Sequence, residues 1–440
     1  MNGPARIVVS AAGTGAGKTL VAMALCAVLR DAGLRVRAYK SGPDYIDSRL
    51  YSVILGAPAH NLDVWLDGEE GVLRHVAATS GDADVLVIEG MMGLFDGDDA
   101  GRTSTATIAR LLDAPILTVL DTWTASQSAA AVALGLRAYD TRLRHLGAIL
   151  NRVGGPSHAA AVSVACARAG VDVLATIPND DAYAFPERRL GLARHIFEAR
   201  AAVVERLAAA LASQLDLPAI LSACSTVTRS GGTDVERTAI RARIAYSEDE
   251  AFWFTYPETL EALHRAGAAL VAFSPLHDRE LPGELDGLWL GGGYPEDYAS
   301  ELSANASMRA SIRIAVADGL PTYAECGGLM YLAQSLHTSS GAHEMVGAIE
   351  GTTSIAEPRL HLGYREATVA TASPLDEAGT PVRAYEFHYA TSMLATKSPA
   401  YVHSGGSDGA VRGNAVATFL HRHFLPGDPS IARFVAAAAV

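Results

Sequence analysis

The first half of the chain alternates apolar runs with segments of helical character. Five runs are almost continuously apolar and end in polar residues or glycine, and they read ARIVVSA, RVRAYKSG, ADVLVIEG, APILTVLD and LGAILNRV. Parallel strands that are buried on both faces have this composition. KTLVAMALCAVLRDAG and STATIARLLD are predicted to be crossover helices, and Gly33 is placed to end the first of them. The pattern predicts a doubly wound α/β domain with its functional residues at the carboxyl ends of the strands.

The alternation is interrupted near residues 222 to 240 and then begins again. The stretch SACSTVTRSGGTDVERTAI is polar and contains glycine, which is typical of a linker. Further strands are predicted at RARIAYSE, GAALVAFSP, LDGLWLGGG and LPTYAE, with helices at YPETLEALHRAG and NASMRASIRIAVADG. Residues 340 to 425 are richer in strand-like sequence. Since 440 residues also exceed one ordinary core, we predict two α/β domains, residues 1–222 and 241–440, joined by a linker at 223–240.

The composition is that of a globular protein, with 49% hydrophobic and 19% charged residues. The net charge of −13 leaves no basic footprint for nucleic acid. Four cysteines do not make a disulfide framework in a chain of this size, and they suit a reducing cytoplasm. Cys26 and Cys166 lie in alanine-rich helical stretches and are expected to be buried, whereas Cys224 falls in the predicted linker. No run approaches the roughly 20 apolar residues of a membrane span, so we expect a cytoplasmic protein without a membrane partner.

Residues 10 to 19, SAAGTGAGKT, have the spacing of a phosphate-binding loop. Such a loop uses glycines to turn backbone N–H groups toward phosphate oxygens, a lysine for the β- and γ-phosphates, and a hydroxyl for Mg²⁺. A predicted strand precedes the stretch and a predicted helix follows it. The alternative is a glycine-rich turn with a solvated lysine, and Ala12 stands where the pattern has its first glycine. The residues predicted to bind nucleotide are Gly13, Gly15, Gly17, Lys18 and Thr19.

Four acidic residues follow strands of the same predicted sheet. KSGPDYIDSRL places Asp44 and Asp47 after one strand, and VLVIEGMMGLFDGDD places Glu89 at the end of another with Asp96 on the next loop. Each alone is better explained as a solvated loop acid, but together they favour a metal–phosphate cluster at one edge of the sheet. Mg²⁺ takes only one or two carboxylates beside phosphates and waters, so the others are free to orient a second substrate. Asn151, which ends LGAILN, either recognises adenine through its amide or caps its loop.

One cysteine lies between a predicted strand and a glycine pair, in PTYAECGGLMYL. A nucleophilic cysteine needs an exposed thiolate, a nearby histidine and backbone N–H groups for the oxyanion. The strand–Cys–Gly–Gly–helix pattern predicts an elbow that lifts Cys326 from the sheet toward a helix N-terminus, which would lower its pKa. His421, in NAVATFLHRHF, is the predicted base, with His423 two residues later. The alternative is a structural cysteine flanked by glycines.

The oxyanion hole is expected at glycines near this elbow. GLWLGGGYPE has three glycines, residues 291 to 293, directly after a predicted strand. Backbone N–H groups at such a turn are not hidden by side chains. Gly292 and Gly327 are therefore predicted to supply the oxyanion donors.

Long motifs along nearly the whole chain resemble cobyrinic acid a,c-diamide synthases. Their glutamine amidotransferase half is similar to YSEDEAFWFTYPETLEAL, LWLGGGYPE, SMRASIRIAVADGLPTYAECGGLMYL, YREA, YEFHYA and VATFLHRHF. Their ATP-binding amide synthetase half is similar to KSGPDYID, EGMMGLFDG, STATIARLLDAPILTVLD, LGAILNRVGGPSH and IPNDDAYAFPERRLGL. The relative that acts on the cobalt-free macrocycle, hydrogenobyrinic acid a,c-diamide synthase, fits equally well. Residues 1–222 would then be the synthetase domain and 241–440 a class I glutamine amidotransferase-like domain.

The resemblance implies a glutamine- and ATP-dependent ligase that acts on a corrinoid. Cys326 matches the nucleophile that hydrolyses glutamine, and His421 matches its base. The other half transfers the γ-phosphoryl group of ATP to a peripheral carboxylate, and ammonia then displaces phosphate, at the a and c side chains in turn. By motif match, Thr19, Glu89 and Asp47 would hold Mg²⁺. The residues implied for the substrate are Asp44, Tyr45, Asp47 and Asp96.

The chemistry explains why two sites are needed. A carboxylate is a poor electrophile because its leaving group would be oxide, and phosphorylation supplies a better one. Ammonium at neutral pH is protonated and not nucleophilic, so ammonia released inside a protein that excludes water avoids this loss. The oligomeric state, including a homodimer, stays open.

Two departures and two rival functions remain. His423 stands where many class I amidotransferases have a glutamate that orients the histidine, so the third member of the site is not assigned. A related enzyme, a cobyric acid synthase or a nickel-sirohydrochlorin a,c-diamide synthase, would use the same chemistry, although the GPDYID loop and the shorter chain favour the a,c-diamide enzyme. A P-loop regulatory switch with an inactive amidotransferase module belongs to another class. The intact Lys18–Thr19 and Cys326–His421 pairs disfavour it.

Overall fold

The protein divides into two compact units, residues 1–234 and residues 235–440. The computed structural model describes residues 3–98, 101–184, 194–224 and 237–440, and the side chains of all of these except 194–198. Most of the linker predicted at 223–240 lies outside the described residues, as does the end of the IPNDDAYAFPERRLGL motif.

A seven-stranded parallel sheet forms the centre of the first unit. Its strands are β1 (Ala5–Ala11), β2 (Val36–Ser41), β3 (His60–Leu62), β4 (Val85–Glu89), β5 (Ile116–Asp121), β6 (His145–Val153) and β7 (Val173–Pro178). The helices are α1 (Lys18–Asp31), α2 (Ile46–Leu55), α3 (Val64–Ser80), α4 (Thr105–Leu111), α5 (Gln127–Tyr139), α6 (Pro156–Arg168), α7 (Arg194–Ala212) and α8 (Leu217–Cys224). The strand order is β3-β2-β4-β1-β5-β6-β7, so the carboxyl ends of β1, β2 and β4 are neighbours.

The apolar strand runs are buried on both faces of this sheet, as the sequence predicts. Ile7 and Val9 pack into one core cluster with α1, α7 and α8, and Val8 between them packs into another with α3 and α4. Consecutive residues of a strand face opposite sides, so a continuous apolar run is needed where helices cover both. The first helix ends as expected, with Gly33 in a left-handed conformation (φ 83°).

The predicted position of Cys224 is wrong. It is the last residue of helix α8 and is fully buried in the core of the first unit, not part of a linker. The segment LPAILSAC is apolar enough to form a helix that covers the sheet, and Ile220 of the same helix is buried in the same cluster. Polarity further along the chain obscured this boundary in the sequence.

One pair of helices in the described part of the chain has the length and composition of a membrane span, but the pair is sharply bent. No single helix there is long and apolar enough to cross a bilayer. Ala199–Ala212 and α8 satisfy length and composition only when counted together, and they are bent by 97°.

The second unit combines a mainly parallel sheet with smaller sheets. Its strands are β8 (Ala242–Ser247), β9 (Phe252–Phe254), β10 (Ala268–Phe273), β11 (Gly287–Leu290), β12 (Gly292–Gly293), β13 (Thr322–Glu325), β14 (Ser335–Thr338), β15 (Gly341–Glu344), β16 (Gly351–Ser354), β17 (His361–Val369), β18 (Pro381–His388), β19 (Thr391–Leu394), β20 (Tyr401–His403), β21 (Gly406–Asp408), β22 (Ala410–Arg412), β23 (Ala415–Thr418) and β24 (Leu420–His421). Its helices are α9 (Pro257–Arg265), α10 (Ala299–Ala304), α11 (Ala306–Ala317), α12 (Gly327–Leu332) and α13 (Pro429–Ala438).

The order of strands brings distant segments of this unit together. The main sheet runs β10-β8-β11-β13-β23-β22, and a five-stranded sheet runs β21-β20-β17-β18-β24. β13 and β23 are parallel neighbours, with Glu325 opposite Thr418. β24 pairs with β18, which places Tyr385 opposite His421. The strand-rich character expected for the last part of the chain is confirmed.

Candidate functional site

The loop between β1 and α1 has the backbone of a phosphate cradle. Gly15 and Gly17 adopt left-handed φ angles of 82° and 94°, which residues with side chains rarely adopt. A Cβ on Gly17 would also lie 2.3 Å from the side-chain nitrogen of Asn151. Lys18 begins α1 and is buried, and its Nζ donates a hydrogen bond of 2.8 Å to the Gly13 carbonyl. The loop therefore holds its lysine along its own backbone, at the N-terminus of a long helix.

A buried ionic cluster lies at the carboxyl ends of β2 and β4. Glu89 is fully buried, and its Oε1 accepts hydrogen bonds of 2.5 Å from the Thr19 hydroxyl and from Lys40 Nζ. Its Oε2 accepts a bond of 2.8 Å from the Tyr51 hydroxyl. Lys40 also pairs with Asp47 Oδ2 at 3.0 Å. The structure thus connects the three residues predicted for Mg²⁺, since Thr19 contacts Glu89 directly and Lys40 joins Glu89 to Asp47.

Sequence reasoning missed the parts played by Lys40 and Tyr51. Burial alone would lower the pKa of Lys40, but the charges of Glu89 and then Asp47 raise it above its ordinary value, so the lysine is an ammonium ion. Two carboxylates and one ammonium leave one net negative charge among hard oxygen donors, which suits a divalent cation such as Mg²⁺. A lysine at the end of a buried strand, directly before Ser-Gly-Pro, was the signal available in the sequence.

The residues predicted for a second substrate lie around this cluster with different surroundings. Asp44 Oδ1 accepts hydrogen bonds of 2.9 Å from the N–H groups of Ile46 and Asp47, so it caps α2. Asp96 is exposed, and its Oδ2 accepts a bond of 2.8 Å from the Gly93 N–H. Tyr45 is partly buried just before α2. Asp44 therefore organises its own loop, and Asp96 is the acid that faces solvent.

Asn151 supports the phosphate loop. Its Nδ2 donates a hydrogen bond of 2.9 Å to the Ala16 carbonyl, and its Oδ1 accepts one of 3.0 Å from the Arg152 N–H. These contacts fit the alternative that Asn151 caps its loop. Adenine recognition by Asn151 stays a prediction.

The cysteine elbow has the expected backbone. Cys326 follows β13 directly and has φ 52° and ψ −106°, a conformation that is strained for a residue with a side chain. Its N–H donates a hydrogen bond of 2.8 Å to the Thr418 carbonyl, which ties the elbow to the segment that leads to His421. A Cβ on Gly292 would lie 3.4 Å from the Cβ of Cys326, so this glycine is beside the thiol. A Cβ on Gly327 would lie 3.0 Å from the Gly293 nitrogen.

The expectation of an exposed thiol with a lowered pKa is wrong for this structure. Cys326 is only 7% exposed, and burial raises the pKa of its thiol well above the ordinary value. The negative charges of Glu296 and Glu325 raise it further, and the Gly327 N–H opposes them only in part. Burial and these carboxylates outweigh the effect of the helix N-terminus on the thiol pKa. The sequence does not show that the carboxylates lie near Cys326. Cys326 is therefore a thiol at rest and needs a base to remove its proton.

His421 is a neutral base held by a backbone carbonyl. It is 3% exposed, and its Nδ1 donates a hydrogen bond of 3.0 Å to the Tyr385 carbonyl. Since a carbonyl only accepts, Nδ1 carries the proton and Nε2 is the basic nitrogen. Burial lowers the pKa of His421 to about 4, so the ring is neutral at pH 7. His423 lies elsewhere, with its Nε2 3.6 Å from Glu258 Oε1.

Comparison with known protein families covers both halves of the chain. The CobQ/CobB/MinD/ParA nucleotide binding domain matches residues 7–191. The CobB/CobQ-like glutamine amidotransferase domain matches residues 243–429. The first match includes the loop at Lys18, and the second includes Cys326 and His421.

Curated relatives match nearly the full length. The cobyrinate a,c-diamide synthase of Syntrophotalea carbinolica is 39% identical, covering 98% of this chain and 98% of the relative. The hydrogenobyrinate a,c-diamide synthase of Thermobifida fusca is 40% identical, covering 99% of this chain and 97% of the relative. The hydrogenobyrinate a,c-diamide synthase of Mycobacterium bovis is 38% identical, covering 98% of each. The similarity thus extends over both candidate sites and the segments between them.

Proposed function

The chain belongs to the family of cobyrinate and hydrogenobyrinate a,c-diamide synthases, and we propose on this basis that it amidates the a and c carboxylates of cobyrinate or hydrogenobyrinate. The reaction uses ATP and glutamine and is a step of cobalamin biosynthesis. The observation that carries the proposal is that relatives with these names match nearly the whole chain. The phosphate loop at Lys18 and the elbow at Cys326 support it, since each has the residues its half of the chemistry needs.

Glutamine is hydrolysed at Cys326. His421 Nε2 takes the thiol proton while Sγ attacks the side-chain carbonyl carbon of glutamine. The N–H groups of Gly292 and Gly327 stabilise the oxyanion. The proton passes to the departing nitrogen, which leaves as ammonia, and water then hydrolyses the thioester to glutamate. A neutral His421 is the form that can accept the first proton.

ATP activates the corrinoid carboxylate in the first unit. A carboxylate oxygen attacks the γ-phosphorus and ADP leaves. Ammonia then attacks the carbonyl carbon of the acyl phosphate, the C–N bond forms, and inorganic phosphate leaves as the nitrogen loses a proton. Thr19, Glu89 and Asp47 would hold Mg²⁺, which neutralises phosphate charge when bound. The residues that we assign to substrates are Lys18 and the loop glycines Gly13, Gly15 and Gly17 for phosphate, Asn151 for adenine, and Asp44, Tyr45, Asp47 and Asp96 for the macrocycle.

We expect two amide groups to be added to cobyrinate or hydrogenobyrinate. Purified protein should be incubated with each macrocycle, ATP and glutamine, and the products counted by their mass shifts. Nickel sirohydrochlorin and cobyrinate a,c-diamide are the matched comparisons, because they represent the related enzymes. Four additions, or no addition to either cobyrinate or hydrogenobyrinate, would contradict the proposed substrate.

The affinity for ATP should fall as the pH rises above about 8. Burial lowers the pKa of Lys18 to about 8, more than the nearby charge of Glu89 raises it, so the free protein loses this positive charge in weakly alkaline solution. A neutral amine no longer attracts the β- and γ-phosphates. The Kd for ATP can be measured by calorimetry over a pH series. In Lys18→Arg the decline should move to higher pH, and an identical decline in that variant would show that another group is responsible.

A further inference from the structure

In the proposed glutamine site, the backbone carbonyl of Tyr385 orients the ring of His421. Because this partner belongs to the backbone, its position depends on the strand that carries it. We propose that a partly buried ionic cluster of Arg365, Glu386 and His388 positions His421, by fixing the strand whose Tyr385 carbonyl holds its Nδ1. This inference rests on the proposed role of His421 in glutamine hydrolysis. The three residues, named here the β17–β18 cluster, would act through His421 and not on glutamine itself.

The register of β18 connects the cluster to His421. Tyr385 is paired with His421 across the β18–β24 ladder, and Glu386 is the next residue along the strand. Successive side chains of a strand alternate between faces, so Glu386 and His388 share the inner face. They are 8% and 9% exposed, while Phe387 between them is on the outer face. Buried anchors therefore follow the Tyr385 carbonyl directly.

Glu386 is ionised and held from two sides. Its Oε2 accepts a hydrogen bond of 2.7 Å from Arg365 Nε on the neighbouring strand β17 and forms an ion pair with Arg365 Nη2 at 2.6 Å. Its Oε1 lies 3.0 Å from His388 Nε2. The hydrogen bond from His388 lowers the pKa of Glu386 to about 2, and the charge of Arg365 acts in the same direction. The carboxylate thereby fixes β18 to β17.

Both ring nitrogens of His388 face hydrogen-bond acceptors. Its Nδ1 lies 2.8 Å from the Ala390 carbonyl, and its Nε2 faces the Glu386 carboxylate, so both partners can only accept. A proton on a ring nitrogen completes the contact that this nitrogen makes. The ring is stacked between His361, with centroids 4.7 Å apart, and Phe419, with centroids 4.1 Å apart. Phe419 lies two residues before His421, so the cluster also contacts the segment that carries the base.

A bound metal ion explains this geometry less well. His361, Glu386 and His388 have donor atoms within 4.8 Å of one another. However, the two imidazole planes are stacked at 8°, so their in-plane lone pairs do not converge on one ion at about 2 Å. Arg365 also places a positive charge 2.6 Å from the carboxylate. The protons of His388 and Arg365 satisfy Glu386 without an ion.

The cluster orients His421 without charging it. The charge of His388 lowers the pKa of His421, whereas that of Glu386 raises it, and both are secondary to burial. In the described part of the chain, the other charged or titratable groups that face the cluster are His361 on β17 and Asp408 on β21. A carboxylate in contact with Nδ1 would instead stabilise the imidazolium form. The carbonyl of Tyr385 fixes the same tautomer while the ring stays neutral.

The test compares His388→Leu, His388→Gln and Glu386→Gln with the control Glu366→Gln, an exposed glutamate on β17. We expect His388→Leu and Glu386→Gln to lower glutaminase kcat on the order of a hundredfold, because misplacing a base by about 1 Å has that effect. KM for glutamine and amidation with ammonium salts should be unchanged. His388→Gln, which still has an N–H donor, should retain more activity than His388→Leu. Glu366→Gln should behave as wild type.

The pH profile separates positioning from a merely structural role. Removing the His388 charge should move the acid limb of glutaminase kcat/KM to higher pH in His388→Gln, because the pKa of His421 rises. Unchanged kcat in both His388→Leu and Glu386→Gln would overturn the inference, and so would a parallel loss of ammonia-dependent amidation or an unmoved acid limb. Absence of glutaminase activity in the wild-type protein would instead overturn the proposed function.

Discussion

Cys326→Ala will abolish glutamine-dependent amidation and leave ammonia-dependent amidation near the wild-type rate. The sulfur of Cys326 is the nucleophile of the proposed glutamine hydrolysis, and alanine has no group that can take its place. Losing a nucleophile of this kind lowers kcat by at least about 10⁴-fold. The elbow backbone should persist in the variant, because the Cys326 N–H bonds the Thr418 carbonyl and alanine keeps that N–H. Ammonia added as its salt bypasses the missing step, since the residues that we propose for ATP binding lie in the other unit.

The measurement is amide formation by mass spectrometry, with glutamine or ammonium chloride as the nitrogen source. Cys166→Ala is the matched control, because Cys166 is also a buried cysteine but lies in helix α6 of the first unit. It should retain both activities. If ammonium salts do not support amidation by a folded Cys326→Ala variant, the proposal that glutamine hydrolysis and amidation are separable reactions would be wrong.

Much of the fold is predictable from short-range patterns. The strands that precede Lys18 and Glu89 are continuous apolar runs because helices cover both faces of the sheet, and the left-handed Gly33 follows the end of α1. The family suggested by the long motifs is confirmed by relatives that match both halves. Cys224 was misplaced because a short apolar helix next to a polar stretch gives only a weak boundary signal.

The candidate sites are less predictable where they depend on contacts between distant strands. A strand followed by Cys-Gly-Gly indicates an elbow, but the pKa of the thiol depends on Glu296, which is 30 positions away in the chain. Likewise, Tyr385 meets His421 only through the β18–β24 ladder. The role of Lys40 is also hard to predict, because it depends on the ion pairs that Lys40 makes with Glu89 and Asp47 in the folded chain. Burial and pairing across a sheet are properties of the folded chain.

Lys18→Ala is expected to remove amidation with either nitrogen source and to spare basal glutaminase turnover. The lysine is buried at the start of α1, where its ammonium group can reach the phosphates by exchanging the Gly13 carbonyl for them. A preorganised positive charge at the transferring phosphoryl group stabilises the transition state, so its loss should lower amidation kcat/KM at least about a hundredfold. Glutaminase chemistry at Cys326 does not use this charge.

Lys397→Ala is the matched control for this variant, because Lys397 is exposed and lies outside both sites. It should retain amidation and glutaminase activity. Amidation, ATP hydrolysis and glutamate release should be measured on the same preparations. Amidation by Lys18→Ala at the wild-type rate would exclude the loop as the ATP site. A Lys18→Ala protein that still hydrolyses glutamine, beside a Cys326→Ala protein that still amidates with ammonia, would assign the two half-reactions to different units, because each variant retains the activity that the other has lost.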